Sequence, residues 1–417
     1  MKDFNVIKNI LEEFNQEHLL EIIEHFEPIE KEEILNQIAQ LDFKAINDLY
    51  LSLTKKEKES GDGIEPIIAL NKDKLKEEQL EEYKKVGEEI LYNNEYALIT
   101  MSGGQGTRLG FDGPKGTYQI DIEPRPKYLF EILADNLINI NNQYNVTIPW
   151  YIMTSAENND SIVEFFKNNR YFNYPKESIM FFKQGNLPLI TVDGKLIISG
   201  NKKIKEAADG NGGIFESMSK SGVIEDLNKR NIKWAFIGSI DNILLKIADP
   251  ILLGLAIKSN VEIATKSMIK NSPEEKVGVI CKQNNKIKVI EYSEMSDELK
   301  QMKNEDGELK FGESHIMCNL FSTKALMKLA DKKMPYHIAF KKSDYINKEN
   351  VIVKPEEPNV YKFEKFIFDA WEYFDNIAIL RGKREEDFAP VKNRTGVDSP
   401  ETAIKLYNEY RAKNKKK

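Results

Sequence analysis

The stretch "MSGGQGTRLG", residues 101–110, gathers glycines, a threonine and an arginine directly behind the apolar run "YALIT". Glycine lets backbone N–H groups come close to an anion, and Arg108 can form a charge-assisted fork to a phosphate. The continuation "FDGPKG" stiffens the chain at Pro114 and adds a second cation, Lys115. Neither common nucleotide template fits. The Lys-Ser/Thr pair that ends a Walker loop is missing, and the arginine stands where a dinucleotide fold would enter its helix. The chemistry indicated is phosphate binding. A glycine-rich turn with solvated Arg108 and Lys115 is the alternative, and the loop by itself names no nucleotide.

Other polar groups stand where a ligand could use them. "DGNGG", residues 209–213, surrounds Asn211 with Gly210, Gly212 and Gly213. An asparagine both donates and accepts, as sugar or base-edge recognition requires, although a plain turn explains the motif equally well. Gln184 follows "IMFFK", where its amide could read a base. Asp241 closes the apolar run "WAFIGSI"; a carboxylate there can hold a hard divalent cation against phosphate oxygens, or cap the next helix. Asp249 precedes a proline and reads as a turn residue. Glu291 and Glu294 in "EYSEM", and His315 in "GESHIMCNLF", are candidates for sugar hydroxyls or simply exposed polar groups. Lys362 in "YKFEKFIFD" could reach a phosphate, but a lysine flanking an amphipathic helix is usually solvated. The four histidines form no Ser-His-Asp or zinc spacing.

These groups need elements to hold them. Residues 4–58 place Leu, Ile and Phe at three-to-four spacing and read as helical, an arm whose apolar stripes pack on the main body. "KKEKESGDGIEP" (55–66) reads as a loop and "KLKEEQLEEYKKVGEEILYNN" as a charged helix. From residue 95, "YALIT", "IPWYIMT", "IMFFKQ", "WAFIGSI", "VEIATKSMI", "VGVICKQNNKIKVIEYSEM" and "HIMCNLFS" alternate with amphipathic segments. That alternation predicts an α/β sheet with helical cover, its ligand crevice beyond the carboxyl ends of the strands. "VYKFEKFIFDAWEYF", a strand "IAIL" and the extended "REEDFAPVKNRTG" make a smaller C-terminal portion, ending in a frayed "RAKNKKK". The expected divisions are therefore 1–94, 95–354 and 355–417.

Composition narrows the classes of function. The 417 residues carry 60 Lys plus Arg against 67 Asp plus Glu, a net charge of -7. That balance argues against a general nucleic-acid surface, which needs concentrated positive charge. No signal peptide or membrane span is expected from the acid-containing N-terminus, and two cysteines without metal spacing suit a reduced cytoplasmic protein.

Taken together, "MSGGQGTRLGFDGPKG", "WYIMTS", "FFKQGNLP", "DGNGG", "DNILLKIADP", "VGVICK", "EYSEM", "KPEEPNVYKFEKFIFD" and "DFAPVKN" resemble, in order, the eukaryote-type UDP-sugar pyrophosphorylases. The likeness is strongest to the UDP-N-acetylhexosamine branch and covers almost the whole chain. It implies a Rossmann-like nucleotidyltransferase domain over 95–354 with a central mixed sheet, a helical N-terminal arm and a small C-terminal α/β domain. It implies UTP and N-acetylglucosamine 1-phosphate as substrates, UDP-N-acetylglucosamine and pyrophosphate as products, and Mg²⁺ as cofactor. By the same resemblance Gly103 and Gly104 would contact the uridine and the start of the triphosphate, Gln184 would read uracil and Gly210 would help seat it. Arg108 and Lys115 would stabilise the phosphates, and Lys362 would neutralise phosphate charge. Asn211 and Glu291 would touch the sugar, and Asp241 would bind the metal. The chain departs from the branch at "FGESHIMCNLF", where Glu313, Ser314 and His315 replace a turn that carries a sugar-contacting asparagine. His315 is thus the expected point on which sugar choice turns. A UDP-glucose or broad-specificity UDP-sugar pyrophosphorylase is the nearest alternative, and a non-catalytic UTP-binding protein the more distant one. A monomer is expected, with a dimer as the alternative.

Overall fold

The computed structural model describes residues 4–53 and 63–414. Most of the expected loop at 55–66 and the three terminal lysines of "RAKNKKK" lie outside the described residues. The chain divides into two compact units.

Unit one draws on 1–60, 186–211 and 335–366. Its helices Phe4–Glu13, His18–Ile23, Pro28–Gln40 and Phe43–Ser52 follow the predicted arm. Their apolar stripes bury Ile7, Leu11, Leu19, Ile34, Ile38 and Phe43 in one cluster with Ile190, Leu196, Ile198 and Phe363. Those partners come from strands and loops far along the chain. His337–Lys341, Val360–Glu364 and Ile190–Thr191 form an antiparallel three-stranded sheet. Lys362 therefore lies on a strand, not beside an amphipathic helix as its surroundings suggest in sequence. Along this strand Val360 and Phe363 are buried on opposite faces, while Tyr361, Lys362 and Glu364 are half-buried.

Unit two spans 61–185, 212–334 and 367–417 and is built on an eleven-stranded sheet among the described residues. We number its strands β1 (Ile64–Pro66), β2 (Leu70–Asn71), β3 (Tyr96–Met101), β4 (Trp150–Thr154), β5 (Ile179–Lys183), β6 (Trp234–Ser239), β7 (Ile263–Ile269), β8 (Val279–Gln283), β9 (Lys286–Ile290), β10 (Glu313–Ser322) and β11 (Ala378–Arg381). The main order is β2-β11-β7-β10-β6-β3-β4-β5, with β8 joining β1, β9 and β10. Within it β6, β3, β4 and β5 are mutually parallel, whereas β10 runs antiparallel to both β6 and β7. Every residue of β3 and β4 is buried, as a strand covered on both faces requires. The mixed α/β architecture and the helical arm agree with the sequence reading.

The expected cut at residues 354 and 355 does not survive. Residues 355–366 pair within unit one, and β11 lies parallel to β7 in the large sheet. The reason is non-local strand pairing, which leaves no trace in local composition. The terminal helix Pro400–Asn414 extends through the first part of the expected frayed tail.

One helix pair packs without side chains between its backbones. A Cβ placed on Gly87, in helix Glu77–Tyr92, would sit 1.9 Å from Pro250 O. A Cβ on Gly254, in helix Pro250–Lys258, would sit 1.8 Å from Tyr83 O. Asp249 caps that second helix by accepting from Ile251 N, instead of forming a plain turn.

Candidate active site

Strand β3 connects toward β4 and β5 on one side, and β6 returns on the other side of β3. A reversal of this kind opens a crevice at the carboxyl ends of the two central strands. The glycine loop leaves β3 there, and Asp241 follows β6 by two residues.

The loop is folded tightly on itself. Gly106 N donates to Gly113 O at 2.8 Å, Lys115 N donates to Gly104 O at 3.0 Å, and Gln105 bridges Pro114. Gly110 has a positive φ of 70°, a turn that suits glycine. Gly116 is needed for space, because a Cβ there would lie 2.2 Å from the buried ring of Phe130. These constraints leave Gly104 and Arg108 exposed. Arg108 makes no hydrogen bond or ion pair with the described residues, which suits a group reserved for an anion.

Gln184 follows β5 directly, and its N–H donates to Thr154 O at 2.8 Å. Its side chain comes to the glycine loop: a Cβ on Gly103 would be 2.8 Å from Gln184 Oε1. Asn158, which sequence reasoning passed over, is buried and donates from Nδ2 to Gly103 O at 3.1 Å. The structure thus brings Gly103 and Gln184 together, with Asn158 holding the loop.

Lys115 and Asp241 form the second pair, Nζ to Oδ2 at 3.3 Å. Burial opposes charge on Asp241, but Lys115 and then Lys392 outweigh it and hold its carboxyl below the usual range. Lys392 was also missed in the sequence, because "FAPVKN" signals only extended chain. Val391 N donates to Asp241 O at 2.8 Å, so the segment carrying Lys392 is hydrogen-bonded to the end of β6. A single anionic carboxylate fits a hard cation that keeps much of its water and takes its other ligands from phosphate. Among the described residues there is no cluster of three or more His, Cys, Asp and Glu that would form a cage.

The side chain of Glu291 and the main chain of His315 both approach Gly278. His315 N donates to Gly278 O at 2.9 Å, and a Cβ on Gly278 would lie 3.3 Å from Glu291 Oε1. The His315 ring is buried edge-on against Phe368 and Trp371, with Nε2 2.9 Å from Asn319 Oδ1. Burial drives its pKa down to about 4, partly offset by the bond to Asn319.

The remaining candidates stand in unit one. Gly210 has φ of 89° and presses so closely on residue 365 that a Cβ would be 2.2 Å from Lys365 O. Asn211 follows it at the start of a short 3-10 turn. Lys362 Nζ is 2.8 Å from Glu364 Oε1.

The family profile described as UTP–glucose-1-phosphate uridylyltransferase matches residues 40–398. The chain belongs to this family. Within it, the chain is 36% identical over 423 residues to the UDP-N-acetylglucosamine pyrophosphorylase of Saccharomyces cerevisiae, spanning 96% of this chain and 88% of that one. The crystal structure of a UDP-N-acetylglucosamine pyrophosphorylase, named as putative, from Entamoeba histolytica matches with TM-score 0.77 and 33% identity, covering 84% of this chain and 90% of that one. The uridine diphosphate N-acetylglucosamine pyrophosphorylase of Trypanosoma brucei, solved with an inhibitor, matches with TM-score 0.81 and 27% identity over 97% of this chain and 84% of that one. Among the described residues no helix is long and apolar enough to cross a membrane.

Proposed function

We propose that this chain transfers a uridylyl group from UTP to N-acetylglucosamine 1-phosphate, giving UDP-N-acetylglucosamine and pyrophosphate. A phosphate oxygen of the sugar phosphate attacks the α-phosphorus of UTP. The bond to the bridging oxygen of the β-phosphate breaks, and pyrophosphate leaves with that oxygen. One anhydride replaces another, so the reaction runs in both directions. It needs no acid–base dyad or covalent enzyme intermediate. Positioning and cationic stabilisation carry it.

The observation that carries this reading is the pairing of Lys115 with Asp241 at the β3/β6 crevice, beside the loop that bears Arg108. Gly103, Gly104 and Gln184 seat the uridine end, and Gly210 is assigned to the base. Arg108 and Lys115 hold the phosphates and favour charge on the departing pyrophosphate. Lys362 is assigned to neutralising phosphate charge. Asn211, Glu291 and His315 are assigned to the sugar. Asp241 would hold Mg²⁺, whose contribution when bound is to neutralise phosphate charge. Cys281 and Cys318 are free and buried, which supports a reducing, cytoplasmic setting.

A second reading, glucose 1-phosphate as substrate, is favoured by the departure at "FGESHIMCNLF", where Glu313, Ser314 and His315 replace the asparagine-bearing turn of the N-acetylhexosamine branch. A four-sugar panel decides between them. UTP is supplied with N-acetylglucosamine, N-acetylgalactosamine, glucose or galactose 1-phosphate, and kcat/KM is measured for each. Preference for the acetylated pair supports the proposal. Preference for glucose 1-phosphate overturns the sugar assignment, and no turnover with any sugar overturns the enzyme.

A further inference from the structure

A group of buried charges in unit two has no part in the chemistry above. Lys266, in the interior of β7, has a side chain only 2% exposed. Its Nζ lies 2.6 Å from Asp249 Oδ2 and 2.6 Å from Asp387 Oδ1. Lys246 adds a second cation, 3.6 Å from Asp387 Oδ1 and 3.1 Å from Glu386 Oε2. Burial disfavours the Lys266 charge, but Asp249 and Asp387 outweigh it and raise its pKa. Such clusters add little net stability over apolar packing of similar volume, since each ion must be stripped of water. Their physical value here lies in what they hold still.

Asp387 leads directly to the end of β6. Asn242 Nδ2 donates to Asp387 O at 2.7 Å, and Asn242 Oδ1 accepts from Ala389 N at 2.8 Å. Ile243 N donates to Ala389 O at 3.2 Å, and Val391 N donates to Asp241 O at 2.8 Å. Asn242 is buried and satisfied on both sides of its amide. Segment 387–391 is therefore stitched to residues 241–243 by four hydrogen bonds, and pinned from beneath by Lys266.

We infer that Lys266, Asp387 and Asn242 are positioning residues for Asp241, fixing the backbone from which its carboxylate meets the metal and the phosphates. The inference rests on the assignment of Asp241 proposed above. None of the three touches the reacting atoms; they act through the segment that Asp241 belongs to. Loss of such a supporting contact typically costs on the order of 10- to 100-fold in metal affinity or activity.

The test compares UTP binding by calorimetry with and without Mn²⁺ in the whole chain. In the parent protein Mn²⁺ should tighten UTP binding, and Asp241→Asn should abolish most of that gain. Asn242→Ala should reduce the gain by about tenfold while leaving metal-free UTP affinity within about twofold. Placed on the Asp241→Asn background, Asn242→Ala should add nothing, because the two act as a unit. Lys266→Met alone strands two buried carboxylates and threatens folding. The neutralised variant Lys266→Met/Asp249→Asn/Asp387→Asn avoids that and should show the same selective loss. A folded Asn242→Ala variant with an unchanged Mn²⁺ gain, or with effects additive to Asp241→Asn, overturns the inference. A parent protein whose UTP binding ignores Mn²⁺ instead removes the role of Asp241 itself, and the inference with it.

Discussion

His315 and Asn319 are joined inside unit two by a 2.9 Å contact between Nε2 and Oδ1. A neutral imidazole has one donor and one acceptor nitrogen, so the ring can make this bond to the amide without carrying charge. Burial lowers its pKa from 6.5 to about 4. The unfolded chain therefore takes up the proton first. Stability contributed by neutral His315 is complete above pH 6.5 and is lost as the pH falls toward about 4. His315→Asn should flatten this acid-side decline. Urea unfolding of both proteins at several pH values across that window checks it, and identical pH dependence would exclude His315 as the source.

Asp241→Asn should keep the fold and lose most divalent-dependent turnover. The amide still fits beside Lys115, whose Nζ lies 3.3 Å from Oδ2 in the parent, but it brings no charge for a cation. Initial rates across a Mg²⁺ titration, on protein with a native circular dichroism spectrum, provide the measurement. Unchanged Mg²⁺ dependence would take Asp241 out of the metal role.

Arg108→Ala should damage the chemical step more than UTP binding. Its side chain is exposed on the loop, whereas Gln184 is brought to the other end at Gly103. Removing one donor to developing charge costs on the order of 100-fold in rate. Single-turnover rates at saturating UTP, set against UTP affinity, separate the two effects. A collapse of affinity with the bound-state rate intact would contradict the assignment.

Gly103→Ala should weaken UTP binding with little change in melting temperature. The new methyl would stand 2.8 Å from Gln184 Oε1, so the amide swings away at small cost in packing. Displacing one base-reading hydrogen bond should cost on the order of tenfold in affinity. Equal affinity in parent and variant would mean that Gln184 reads nothing from the position it holds here.

Much of this architecture was legible. Runs such as "YALIT" and "WAFIGSI" are short, apolar and β-branched, and they became β3 and β6. The turn at the end of β3 was equally plain, because clustered glycines and Pro114 cannot continue a strand. In sequence Lys362 reads as flanking a helix because "VYKFEKFIFDAWEYF" satisfies two periods at once, and only pairing with His337–Lys341 selects the strand. Unit one was invisible as a unit, since its pieces are separated by long stretches of sequence. Lys266 gave no signal either. One lysine in an apolar strand is ordinary until Asp249 and Asp387, remote in the chain, are seen to meet it.

The close approach of Gly87 to Pro250 and of Gly254 to Tyr83 has a genetic consequence. Each Cα stands where a methyl would meet the partner helix's main chain rather than a side chain that could turn aside. Alanine at either position forces the helices apart, at about 3 kcal/mol or more, and every larger residue does worse. No missense change at these two codons is therefore conservative. In a growth selection for activity both should score as essential, although neither offers a substrate anything to bind. Assayed for abundance, the same alleles should separate from those of Asp241 and Arg108, which lose turnover while the protein persists.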